Sequence, residues 1–154
     1  MAEAQTSVQM SGEDSYTLEI RRLIKAPRAK VFDAFVQPEI FGQWWGPKGV
    51  TCRNLKIDAR VGGDYSLEMH HESGNVHHLS GSYQKIDRPR ELVYSWQWGV
   101  GDEKGQVTNV ALSFHDHTEG TEIVLLHTGF DTAENRDNHN SGWSGSFDCL
   151  VQII

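Results

Sequence analysis

The chain has 154 residues, 21 of them Asp or Glu and 14 Lys or Arg, for a formal net charge of −7. At this length a single domain buries roughly 70% of the surface its unfolded chain exposes, so one core is sustained without disulfide or metal staples. The basic residues are scattered rather than gathered into a stripe that could track phosphates, and no apolar run approaches the ~20 residues that cross a bilayer, which sets aside nucleic acid binding and membrane insertion.

Residues 1–15 lack the basic and apolar segments of a leader and read as a disordered or loosely held tail, and residues 16–154 read as one domain. Cys52 and Cys149 stand far apart and belong to no paired motif, which fits a reducing compartment, so a cytoplasmic location is expected. Between Tyr16 and Ile24, Leu18 and Ile20 alternate with charged residues in the manner of a strand. Ala26-Pro27 then opens a short helix in which Val31, Phe32 and Phe35 share a face. Pro38 disfavours helical geometry at the residue before it, and a second short helix is expected over residues 39–44. The run Trp44-Trp45-Gly46-Pro47-Lys48-Gly49 holds too much Gly and Pro for a regular element and predicts a loop that keeps two large rings against the body.

Strand patterns then occupy 50–58, 64–71, 76–86, 91–98, 106–114 and 121–128. Turn signals separate them at Gly62-Gly63, Ser73-Gly74-Asn75, Asp87-Arg88-Pro89 and Glu119-Gly120, and such short connections imply antiparallel pairing. Asp131, with Glu134 three residues later, has capping-box spacing, and Trp143, Phe147, Leu150, Val151 and Ile154 follow at helical intervals. The first half of that helix, 133–141, is almost wholly polar and is expected to overhang the sheet or border an opening. The pattern predicts an α+β domain: a curved antiparallel sheet of about six to seven strands around a long C-terminal helix, with two short helices after the first strand.

Alternation places Tyr65, Leu67, Met69 and His71 on one face of their strand and Tyr94, Trp96 and Trp98 on one face of theirs. Val110, Leu112 and Phe114, then Ile123, Leu125 and His127, share faces in the same way and should meet Trp143 and Phe147 of the last helix. From the residues alone, these rings either fill a close-packed core or line a cavity. Tyr65, Tyr94, His127 and the indoles of Trp96 and Trp98 are the candidate polar anchors, each an apolar body with a directional tip. Trp44 and Trp45 read as structural.

The chain resembles the activator of Hsp90 ATPase homologue-like branch of the START-like (helix-grip) superfamily. The carrying segments are Lys25-Ala26-Pro27 before Val31-Phe32-Asp33-Ala34-Phe35, Trp44-Trp45-Gly46-Pro47, Asp58-Ala59-Arg60-Val61-Gly62-Gly63 and Arg90-Glu91-Leu92-Val93-Tyr94-Ser95-Trp96. Gly120-Thr121, His127-Thr128-Gly129-Phe130 and Gly142-Trp143 complete the series, and order and spacing together make it specific. The resemblance implies a helix-grip fold and favours a cavity lined by Tyr65, Met69, Tyr94, Trp96, Trp98, Leu112, Phe114, Leu125, His127, Trp143 and Phe147. The expected function is binding of a small hydrophobic or amphipathic ligand, with no cofactor and no catalytic residue assigned. Burying on the order of 300 Å² of such a ligand contributes about 7–8 kcal/mol before at least ~4 kcal/mol of lost freedom, so polar anchors must set affinity. Some superfamily members are cyclases or hydrolases, and His127 with Tyr94 would then serve as acid and base, which requires both tips to reach one bound molecule. A third role, protein interaction in the manner of the Hsp90 activator, ranks last, and an Hsp90-type chaperone is not the expected partner because the eukaryotic activator carries an additional N-terminal domain. A homodimer is compatible with the superfamily, although no residue here specifies an interface.

Three other features invite chemistry and are set aside. In the cluster His70-His71 and His77-His78, a turn centred on Ser73-Gly74 sets His70 opposite His77 and turns His71 and His78 to the other face, which falls short of a metal-ligand set. His115-Asp116-His117 falls short likewise. The segment from Gly99 to Gly105 joins two strands and carries two acids, so it reads as a rim loop rather than a phosphate cradle.

Overall fold

The computed structural model describes residues 15–154 together with Met10 and Ser11. Of the N-terminal segment set apart as a tail, residues 1–9 and 12–14 lie outside the described residues. Met10–Ser11 forms a two-residue strand, β1, against the start of β2 (Ser15–Ile24). Pro27, its φ fixed at −61°, stands as N-cap of α1 (Arg28–Val36), and Pro38 begins α2 (Pro38–Trp44) at the first helical position, where a missing N–H costs nothing. The strands β3 (Val50–Ile57), β4 (Asp64–His71), β5 (Val76–Asp87), β6 (Glu91–Trp98), β7 (Thr108–His117) and β8 (Gly120–Phe130) follow, and α3 (Ala133–Ile153) ends the chain.

Every pairing is antiparallel, in the order β1-β2-β8-β7-β6-β5-β4-β3. The helical crossing through α1 and α2 carries the chain from one edge of the sheet to the other, so the first long strand lies beside the last. Three bulges, at Tyr16/Thr17, Arg53/Lys56 and Tyr83/Lys85, increase the curl of a sheet this wide. The result is the α+β helix-grip architecture expected, with β7 and β8 extending beyond their apolar runs to a tight turn where His117 pairs with Gly120.

The inward alternation holds strand by strand. Tyr65, Leu67 and Met69 of β4, Tyr94 and Trp96 of β6, Val110, Leu112 and Phe114 of β7, and Ile123, Leu125 and His127 of β8 are all buried. At one end of the sheet α1 and α2 close over this face. Phe35 meets Trp44, Phe114 and Phe147 edge-on at ring separations of 4.9, 5.5 and 6.5 Å, and Trp44 Nε1 donates to the Ala34 carbonyl at 2.9 Å. An indole buried with its N–H satisfied contributes both area and direction. Arg88, in the turn after β5, clamps Asp33 of α1 with two bonds of 2.8 Å, although exposed pairs of this kind contribute only about 0–1 kcal/mol.

The cap of α3 differs from the expected one. Thr132, not Asp131, is the N-cap: its hydroxyl accepts from the Asn135 backbone N–H at 3.0 Å, while the Asp131 carboxylate takes a longer bond of 3.4 Å from the Asn135 side chain. The extended geometry at Thr132 (φ −137°, ψ 154°) aims its short side chain at the first helical turn. Thr132→Ala is therefore expected to cost ~1 kcal/mol in urea denaturation, and Asp131→Ala distinctly less. A second test concerns the sheet's curl. A Cβ on Gly81 would stand 1.9 Å from the Ser95 carbonyl oxygen and 2.7 Å from the Tyr65 ring, so β5 reaches β6 only because residue 81 has no side chain. Gly81→Ala is expected to destabilise by at least about 2 kcal/mol, read as a lower urea midpoint.

Candidate functional site

Beyond Trp45 the sheet face is not covered by helix, and a cavity of about 710 Å³ opens between β4, β5 and β6 on one side and the polar half of α3 on the other. Its inner wall is Met69, Trp45, Trp96, Trp98 and Trp143; its mouth is edged by His71, Val76, His77 and His78 of the β4–β5 hairpin and by the loop from Gly99 to Gly105. From α3 come Asn138, His139, Gly142 and Ser146. The lining is mainly apolar, and four of the chain's five tryptophans contribute to it.

These indoles form one cluster centred on Trp96, which meets Trp45, Trp98 and Trp143 at ring separations of 5.7, 5.4 and 5.3 Å. Two histidines hold the cluster, His127 from the core and His139 from the cavity wall. Trp98 Nε1 donates to His139 Nε2 at 2.9 Å, and His139 Nδ1 lies 2.7 Å from the Asn135 carbonyl, which leaves His139 one consistent state: neutral, with its proton on Nδ1. Trp143 Nε1 donates to His127 Nδ1 at 3.1 Å, so the His127 proton sits on Nε2, 2.7 Å from the Thr108 hydroxyl. Burial pushes the His127 pKa well below its ordinary 6.5, with His139 nearby adding to the effect. Burial lowers His139 as well, partly offset by its bond to the Asn135 carbonyl. Among the described residues, the indole N–H groups of Trp45 and Trp96 are buried and without a partner.

The residues expected to line the cavity divide into three groups. Met69, Trp96, Trp98 and Trp143 do line it. Tyr65 and Tyr94 instead border a void of only about 20 Å³ behind Trp45 and Trp96, two rings that belong to both linings and so partition the spaces. Leu112, Phe114, Leu125, His127 and Phe147 are at most 1% exposed and lie in the solid core. The cause is local packing: Phe114 lies under Phe32 and Phe35 of α1, Phe147 under Phe35 and Trp44, and His127 under Trp96, Trp143 and His139. The proposed acid and base therefore do not meet over one molecule. His127 spends both nitrogens on Thr108 and Trp143, and Tyr94 sits at the inner void with its hydroxyl pushed well above the ordinary phenol range by burial and by Tyr83.

The histidine hairpin also differs in register. Met69 pairs with His77 and His70 with Val76, one residue from the expected alignment, and a slip of one exchanges faces. His71 and His77 thus meet at the mouth, Nε2 to Nδ1 at 2.9 Å, while His70 turns away to Glu68 at 2.8 Å. Among the described residues no group of three or more His, Cys, Asp or Glu could hold a metal. Trp45, Asn138, His139 and Ser146 were not anticipated. Trp45 was assigned to a structural loop, and the others lie in a polar helical stretch whose partner across the cavity is distant in sequence. The rim glycine Gly99, at φ 93°, lies where a Cβ would stand 2.3 Å from the Glu103 carbonyl oxygen, which holds the rim loop folded over the mouth.

The family profile described as activator of Hsp90 ATPase homolog 1-like protein matches residues 25–154. The chain belongs to that family. No curated protein sequence matches it. Among solved structures, a protein of Chromobacterium violaceum is 25% identical, covering 90% of this chain and 96% of its own with a TM-score of 0.82. A family protein of Silicibacter pomeroyi is 22% identical over 88% and 95% with a TM-score of 0.81, and CalU16 of Micromonospora echinospora is 23% identical over 97% and 83% with a TM-score of 0.70. Likeness at this level carries the fold rather than the activity. No helix among the described residues is long and apolar enough to cross a membrane.

The two internal histidines make stability depend on pH. Each is held neutral in the fold and takes up a proton more readily once unfolded, so its contribution is complete above the unfolded value near 6.5 and is lost as pH falls below it. The melting temperature is expected to fall between pH 6.5 and 5, above the range where exposed carboxylates titrate, and His139→Gln should flatten that slope. A melting temperature constant across this window would contradict the assignment.

Proposed function

We propose that this protein binds a small apolar or amphipathic molecule in the cavity between β4–β6 and the first half of α3. The observation that carries the reading is the cavity itself: about 710 Å³, open at one side and walled by four indoles and a methionine. That volume lies in the range of small-molecule sites, and its composition, apolar walls with a few directed polar groups, is theirs too. Water held against such walls is poorly hydrogen-bonded, and its displacement by an apolar body is favourable. Family membership is compatible with ligand binding. We assign no catalytic step: of the acid and base considered, neither His127 nor Tyr94 lines the space.

Gly142 supplies the test. It lies on α3 at the cavity wall, and a Cβ there would meet nothing within 4 Å. Gly142→Leu is expected to raise stability by about 0.8–1 kcal/mol through helix propensity while its side chain occupies the space. Native mass spectrometry and thermal shifts against lipid, aromatic and polyketide-like libraries should find ligands for the wild-type chain that the variant no longer holds. Equal binding by both proteins, or none by the wild type, would remove the proposal.

The competing reading follows from the family's name, an activator of the Hsp90 ATPase, and requires a surface rather than a cavity. Addition of the chain to an Hsp90-type ATPase is expected to leave turnover unchanged, and stimulation would favour that reading.

A further inference from the structure

The charge and donor inventory of the cavity goes beyond its being apolar. Among the described residues its lining contains no Lys and no Arg, and the one formal charge on it is Glu103, on the rim loop. That loop is tied to the sheet by Gly99 N–H to the His78 carbonyl at 2.9 Å, by Gly105 N–H to the Trp98 carbonyl at 2.8 Å and by Gln97 Nε2 to the Gly105 carbonyl at 2.8 Å, which keeps residue 103 at the mouth.

The four indoles are usually counted as hydrogen-bond donors, yet here none exposes a free N–H. Those of Trp98 and Trp143 are given to His139 and His127, and those of Trp45 and Trp96 are buried away from any accessible space. What the rings present to a guest is carbon and π-electron density, whose faces are negative. His139 presents no positive charge either, because its Nε2 is occupied by the Trp98 proton and its neutral state is fixed by that bond. The donors left for an anion are few: the Asn138 amide, the Ser146 hydroxyl and the mouth histidines, of which His71 and His77 are already bonded to each other. An organic cation needs no donor, gains from the ring faces and from Glu103, and approaches a chain whose net charge is −7.

We infer that the cavity selects organic cations, an ammonium group carried on an apolar or aromatic body, over anions of the same shape. The cation sits among the indole faces with Glu103 at the entrance. The inference rests on the ligand-binding reading above and names its ligand class.

The test compares three probes of one body: (1-naphthylmethyl)trimethylammonium, the uncharged 1-naphthylmethanol and 1-naphthylacetate. Dissociation constants come from titration of the tryptophan indole N–H resonances at pH 7.5, which also report where the probe sits. The ammonium is expected to bind roughly tenfold more tightly than the alcohol, and the carboxylate more weakly than either. Glu103→Gln should weaken the ammonium about threefold and leave the alcohol unchanged. If the alcohol binds but the ammonium binds no better, or the carboxylate binds best, the charge inference is overturned and the cavity reading survives. If none of the three shifts the resonances of Trp96, Trp98 or Trp143, both fall together.

Discussion

The structure depends on how α3 is held, because its buried apolar residues lie only in its second half. Phe147 and Leu150 are fully buried, and Phe147 packs on Phe35 and Trp44. Ser146 accepts from the Gly46 backbone N–H at 3.1 Å, and Arg22 of β2 reaches Asp148 at 2.6 Å. A Cβ at Gly145 would stand 2.7 Å from the Pro47 side chain, so the helix and the loop after α2 touch almost without clearance. Toward its N-terminus the same helix carries polar residues, of which Arg136 is buried over the Tyr16 ring and His139 accepts from Trp98 of β6. Over the curved sheet this leaves a wedge of space between β4–β6 and the helix, and that wedge is the cavity.

The wedge would be an energetic liability if its walls were loose. They are not, because two of the indoles that face it are hydrogen-bonded to histidines and the other two pack against them. His139 and His127 each accept one indole proton and donate their own to a fixed oxygen, so both tautomers are determined and the indoles of Trp98 and Trp143 are oriented. Histidines buried in this way are structural groups whose neutrality is part of the fold. The arrangement also explains why an internal histidine beside an apolar space does not act as a base: its lone pair is already used.

The same economy of donors shapes what the space accepts. An apolar cavity of this size discriminates weakly by contact area alone, since one methylene more or less changes affinity little. On the proposed reading, selectivity comes from charge and from the groups that remain free: Asn138 and Ser146 on α3, and His78 and Glu103 at the mouth. On the ligand-binding reading we propose, the deep wall supplies affinity and the rim, built from turns, supplies choice.

Strand alternation, turn residues and the C-terminal apolar stripe were legible in the chain, because β and helical periodicities are local and repeat over several residues. So were the family, from the order of short motifs, and the burial of Tyr65, Tyr94, Leu112, Phe114, Leu125 and Phe147. The sequence did not separate core from cavity. An inward-facing Phe114 and an inward-facing Trp98 look alike in a strand, and only the position of α1, α2 and the Trp44-Trp45 corner decides which is covered. Nor could it fix the hairpin register on which His71 meets His77, since a polar turn tolerates either alignment. The partnership of Trp98 with His139, 41 residues apart, likewise exists only once α3 crosses the sheet. Periodicity assigns a residue to a face, whereas what lies opposite that face is set by long-range packing.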